Sequence, residues 1–264
     1  MGDTMLLRTF RLGASLLLAA LLLSACDADQ SRAPLVAPSS TSDQESTCDI
    51  TEGQIDPPAD FEAKGKELDG DVTGDGQPER ITLRDSAKRP EACRRMIVVE
   101  LEGGDTMTAL LEPLDWPSPD PKLRLLAEIN GRAGLEVVVA LSPAPAVSRS
   151  GAVFTVVRTE LALMRLGGKG AGPDPHLLPF YDEFPAGVDC TDPPGQIVVT
   201  GSIFAPRGDD SEFGITRTFY RAEGTAFQPI DEENLFVDCC NEEASRRWPE
   251  TADDPFRSCP DRVG

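Results

Sequence analysis

From residue 79 onward the chain consists of short apolar runs, each ended by a cluster of Gly, Pro or Asp. Runs this short suit strands and fall below the length at which a helix buries a useful face. The clearest lie at 80–84, 96–101, 106–111, 135–141, 152–158, 161–166, 196–203 and 215–220, and long amphipathic patterns are absent. They predict an all-β domain of repeated meander or hairpin units. Apolar residues fill both faces of several of these runs. Three strand ends enter glycine turns, at Gly103-Gly104, Gly167-Gly168 and Gly224, and each reads as a hairpin because glycine accepts positive φ.

Two internal alignments point to repetition. Leu163-Met-Arg-Leu166 lies over Phe219-Tyr-Arg-Ala222, and the stretch from Asp71 through Glu79 to Ile81 lies over that from Glu128 through Glu136 to Val138 at an offset of 57. A coincidence of glycine-rich loops before strands is the competing account.

The N-terminal segment sets the compartment. Arg8 and Arg11 precede an apolar run through Leu23, and Ser24-Ala25-Cys26 follows. Charged region, hydrophobic core and small-residue site come in the order of an export signal. The run is shorter than the roughly 20 residues of a spanning helix. Leu23-Ser-Ala-Cys26 resembles the lipobox of bacterial lipoproteins, which implies cleavage before Cys26 and lipidation of its thiol, placing the protein at the extracytoplasmic face of the cell membrane. Residues 27–47 are rich in Ser, Thr, Ala, Pro and Gln and carry no apolar periodicity. They are expected to form a disordered tether with a reach of about 70 Å when extended. The expected organisation is a signal at 1–25, a tether at 26–47 and a disulfide-stapled β domain at 48–264.

The whole chain carries a formal charge of −20, and removing residues 1–25, with Arg8, Arg11 and Asp3, makes the remainder one unit more negative. Such a surface repels phosphate backbones, so nucleic acid is excluded as an expected partner. Apart from Cys26 there are six cysteines, Cys48, Cys93, Cys190, Cys239, Cys240 and Cys259. An even count in an exported chain predicts three disulfides. Six cysteines allow 15 connectivities, among which the sequence alone does not choose. A vicinal bridge would strain the peptide, so Cys239 and Cys240 are expected to take separate partners. The pairing adopted as the expectation is Cys48 with Cys93, and Cys239 and Cys240 with Cys190 and Cys259.

One segment carries chemistry. Asp71, Thr73, Asp75, Gln77 and Glu79 alternate oxygen-bearing side chains through a glycine-containing loop. Side chains so spaced converge on a hard cation, with a backbone carbonyl at Gln77, and calcium is the candidate. The twelfth position is Thr82 and a strand follows, which excludes an EF-hand. The alternative is a turn whose aspartates cap backbone amides.

The loop followed by a strand resembles the FG-GAP and VCBS-like repeats of integrin α-chains and bacterial surface proteins, and lipoproteins of actinobacteria look similar along most of 48–230. The resemblance implies propeller-like β units with Asp71, Thr73, Asp75, Gln77 through its carbonyl, and Glu79 as metal ligands. In the second copy Arg132 stands where Asp75 does, so that copy is expected to hold no cation.

His176, the single histidine, sits in a proline-rich stretch and reads as a solvated loop residue. Neither a nucleophile elbow nor a P-loop spacing occurs. The expected role is a membrane-tethered binding or structural module meeting an envelope protein or polysaccharide. A hydrolase of envelope polysaccharide or peptide and a solute-binding lipoprotein are the rivals. Lipidation is directly testable: Cys26→Ala is expected to release the protein from the membrane fraction and to abolish the lipid mass increment. Unchanged fractionation and mass would refute it.

Overall fold

Fifteen strands, and no α-helix, make up the described part of the chain. The computed structural model describes residues 57–90, 93–111, 120–141, 148–168, 176, 178–182, 186–207, 210–237 and 254–264. The segments read from the sequence as export signal and tether, and Cys26, Cys48, Cys239 and Cys240, lie outside them. All described residues belong to one unit, Ser46–Gly264. No helix among them is long and apolar enough to cross a membrane.

The strands are β1 (Glu62–Ala63), β2 (Leu68–Gly70), β3 (Glu79–Asp85), β4 (Arg95–Glu100), β5 (Thr106–Leu110), β6 (Lys122–Ala127), β7 (Glu136–Leu141), β8 (Ser148–Val157), β9 (Glu160–Leu163), β10 (Arg165–Leu166), β11 (Leu178–Asp182), β12 (Gly187–Thr191), β13 (Gln196–Arg207), β14 (Asp210–Glu223) and β15 (Ala226–Val237). They form three sheets, each containing a four-strand antiparallel meander: β2 to β5, β6 to β9, and β12 to β15. The domain is therefore all-β with a repeated meander, as the short runs predict. β1 joins the first sheet on β3, β11 joins the second on β8, and β10 runs parallel to β15 in the third.

The second sheet is covered on both faces. Val137 and Val139 of β7 pack with Ile81, Leu83, Ile97 and Val99 of the first sheet. Val138, between them, packs with Ile197, Tyr220 and Phe227 of the third. All three valines are fully buried, each contributing about 1.5–3 kcal/mol. Because neighbouring side chains of a strand point to opposite faces, a strand buried twice reads as an unbroken apolar run.

Of the three glycine turns, two close hairpins: Gly103-Gly104 joins β4 to β5, and Gly224 joins β14 to β15. The third does not. Gly167 continues from β10, its N–H donating to the Phe227 carbonyl at 2.7 Å, so this glycine pair flanks a parallel pairing. The hairpin in that region turns earlier, at Arg158 and Thr159 between β8 and β9.

Residues 254–264 close two strand edges. Val263 and Leu126 of β6 exchange backbone hydrogen bonds at 2.7 and 2.9 Å, and Phe256 N–H donates to Val188 of β12 at 3.0 Å. Phe256 is fully buried, edge-on to Phe180. Cys259 is bonded to Cys190. This corrects the expected pairing of those two cysteines with Cys239 and Cys240: Ser258, bonded through its N–H and hydroxyl to Asp189, seats Cys259 against β12. Cys93 is also disulfide-bonded, to a partner outside the described residues.

The outer edge of β15 meets β10 only at Ala226 and Phe227. Farther along, Pro229 has no N–H, the register shifts opposite Phe219 and Tyr220, and Asp231 accepts the N–H of Glu232 at 2.9 Å. These features blunt the edge as a template for further strands.

The connections β2–β3, β6–β7 and β12–β13 lie in a row, in contact through glycines. A Cβ on Gly74 would lie 2.7 Å from the Ala133 backbone, one on Gly134 2.7 Å from the Val72 carbonyl oxygen, and one on Gly131 2.9 Å from Gly195. Gly134 and Gly103 both have positive φ, 98° and 104°, but a Cβ on Gly103 would meet open space. Gly103→Ala is expected to cost about 1 kcal/mol from backbone strain alone, and Gly134→Ala at least about twice that. Urea unfolding of the two variants measures the difference; equal costs would show that the loops do not need this close approach.

Candidate functional site

The first connection, residues 71–78, is folded by carboxylates that accept its own amides. Asp71 Oδ1 accepts the N–H of Gly74 at 2.6 Å and of Asp75 at 3.1 Å, while its Oδ2 accepts that of Gly76 at 2.8 Å. Asp75 Oδ1 accepts the N–H of Gln77 at 2.8 Å. Glu79, the first residue of β3 and buried, accepts Val72 N–H at 2.8 Å and Thr73 N–H at 3.3 Å on Oε2, and the Thr73 hydroxyl at 3.1 Å on Oε1.

Asp71, Asp75 and Glu79 each offer an oxygen, and these oxygens all lie within 4.8 Å of one another. The triad can hold a metal ion. Of the five residues predicted as ligands, these three converge, Thr73 turns its hydroxyl to Glu79, and Gln77 stands exposed beside Asp75. Capping and cation binding use different lone pairs of the same oxygens, so the two accounts of this loop are compatible.

The second connection, 128–135, repeats the buried brace. Glu136, the first residue of β7, accepts Ile129 N–H at 2.8 Å and Asn130 N–H at 3.0 Å on Oε2. These positions match Val72 and Thr73 at the offset of 57. Arg132 occupies the place of Asp75, and its exposed side chain adds a positive charge where the first loop has a carboxylate. The two loops are joined by Leu135 N–H donating to the Asp71 carbonyl at 2.8 Å.

Around Glu136 lies a polar cluster that sequence reasoning misses. Its Oε1 accepts the Thr155 hydroxyl of β8 at 2.9 Å and Asn130 Nδ2 at 2.5 Å, and Nδ2 also lies 2.9 Å from Thr155 Oγ1. The Asn130 side-chain carbonyl accepts Arg132 N–H at 2.7 Å. All three side chains are buried, at 2% exposed for Glu136, 3% for Thr155 and 8% for Asn130. Burial pushes the Glu136 carboxyl up to about 7, against the pull of the Ile129 and Asn130 amides and the Thr155 hydroxyl. The offset of 57 exposes the glutamate, but Thr155 reaches the cluster only through the β7–β8 ladder.

His176 is half-buried, its Nδ1 lying 3.3 Å from the Met164 carbonyl oxygen, rather than solvated as expected. The chain matches no family model, no curated protein and no solved structure.

The brace and the triad are separable by mutation. Glu79→Ala orphans two backbone N–H groups, one of them buried, and is expected to cost about 2–4 kcal/mol whether or not a cation is present. Asp75 is exposed, and Asp75→Ala in chelator is expected to cost less than about 1 kcal/mol. Denaturant unfolding of both variants in chelator checks this; a larger loss for Asp75→Ala would reverse the assignment.

Proposed function

We propose that this protein is a lipid-anchored component of the cell envelope whose β domain acts by binding and bracing, with one calcium ion held by the 71–79 loop. The observation that carries the reading is the convergence of Asp71, Asp75 and Glu79 where the first connection packs on the second. An all-oxygen, carboxylate-rich set suits a hard cation, and extracellular calcium is concentrated enough to fill weak sites. The chemistry of the ion here is structural: it offsets the mutual repulsion of three carboxylates crowded into one turn.

Each four-strand meander is read as one FG-GAP-like unit. Three units are too few to close a propeller, so the reading is an open stack whose remaining surface meets an envelope protein or polysaccharide. The lipobox-like site at Cys26 and the tether supply the anchorage.

Calcium is expected to raise the thermal stability of the purified protein. If the dissociation constant falls in the range of about 0.1–1 mM usual for extracellular modules, about 10 mM calcium adds roughly 1.4–2.7 kcal/mol relative to chelator. Asp75→Ala is expected to lose the shift. An equal response in wild type and variant, or none in wild type, would leave the loop a capped turn and remove the calcium from the reading.

A further inference from the structure

The cluster around Glu136 holds the parts of an acyl transfer. We propose that Asn130 and Thr155 become joined by an intramolecular ester, formed with Glu136 as the proton-transferring group, which fastens the second connection covalently to β8.

Hydroxyl, carboxylate and side-chain amide are in mutual hydrogen-bond contact, Asn130 Nδ2 donating to Thr155 Oγ1 at 2.9 Å. Attack therefore requires the amide to turn its carbonyl carbon toward the oxygen that its nitrogen now meets. The Thr155 hydroxyl donates to Glu136 Oε1 at 2.9 Å, so the carboxylate is placed to take its proton as Oγ1 attacks the Asn130 side-chain carbonyl carbon. Negative charge then develops on Asn130 Oδ1, which already accepts the Arg132 N–H at 2.7 Å. The leaving nitrogen, Asn130 Nδ2, lies 2.5 Å from the same Glu136 oxygen and receives the proton from it. The C–Oγ1 bond forms, the C–Nδ2 bond breaks, and one ammonia leaves. The proton passes from hydroxyl to carboxylate to ammonia, and no oxidant or co-reactant is required. Burial of all three groups keeps water from the product and opposes its hydrolysis.

The raised Glu136 carboxyl suits a group that must both take and return a proton near neutral pH. The first connection is a natural contrast. Its brace, Glu79, has Thr73 in place of the asparagine. Arg80 pairs with Glu100 and Val137 with Phe154, so one step along each ladder places Leu101 opposite Glu79 and Thr155 opposite Glu136. The first connection thus keeps a hydroxyl on its glutamate, that of Thr73, but has no amide at either place for it to attack.

The test is mass spectrometry of tryptic peptides from the purified mature protein. Cleavage at Arg124, Arg132, Arg149 and Arg158 releases residues 125–132 and 150–158. They are expected to travel as one species, lighter by one ammonia than the two together. Thr155→Val is expected to abolish that species and Thr155→Ser to retain it, a rescue that separates lost chemistry from lost folding. Two separate peptides of full mass in the wild type would overturn the proposal. So would peptide 125–132 alone lighter by one ammonia, which is closure of Asn130 onto the Gly131 nitrogen, or survival of the joined species in Thr155→Val.

Discussion

A buried carboxylate at the first residue of a strand, accepting the backbone N–H groups of positions six and seven residues before it, is the contact on which this fold turns. It occurs at Glu79 and again at Glu136. An isolated buried carboxylate is costly, and an isolated buried amide is costly too, so each offsets the other only when the intervening loop takes one shape. That shape brings Gly74 and Gly134 to the neighbouring loop's backbone and leaves Asp71 and Asp75 beside the brace. The candidate cation site is thus a by-product of a structural requirement. In the second connection the same requirement is met without the aspartates, with an asparagine and a threonine gathered instead.

The strands were legible where burial on both faces leaves a continuous apolar run, as at β4, β7 and β8. They were illegible where pairing overrides composition. β15 contains Pro229 and the charged series Asp231, Glu232 and Glu233, yet it is a strand because β14 bonds to it from Phe213 to Glu223. Gly167-Gly168 has the composition of a hairpin turn, but β10 has already committed its hydrogen bonds to β15. At the site, alternation of oxygens exposed Asp71, Asp75 and Glu79, because all lie within one turn. Thr155 stands 25 residues from Asn130, and no local pattern links them. The cysteines followed the same logic: an even number implied bridges, while the partner of Cys190 depended on where residues 254–264 return.

The acidic surface is balanced locally. Arg84 pairs with Glu100, Arg89 with Asp60 and Arg94 with Asp85, and the Arg89 guanidinium with the Ser86 hydroxyl holds the Asp60 carboxyl well below the usual carboxylate range. Such partly exposed pairs near the surface add modest stability individually. Their effect is on arrangement, since each cation fixes one carboxylate near the first sheet.

The return of residues 254–264 across β6 and β12 has a consequence in time. Those strands are complete once the chain has been made through Thr191, but Leu126 and Val188 find the partners described here only more than 60 residues later, in residues 254–264. Until then two strand edges lie open, and the place of Phe256 in the second core is unfilled. Closure of these edges therefore waits on residues 254–264, and a nascent chain halted just after β15 would carry all fifteen described strands yet remain adhesive at both edges.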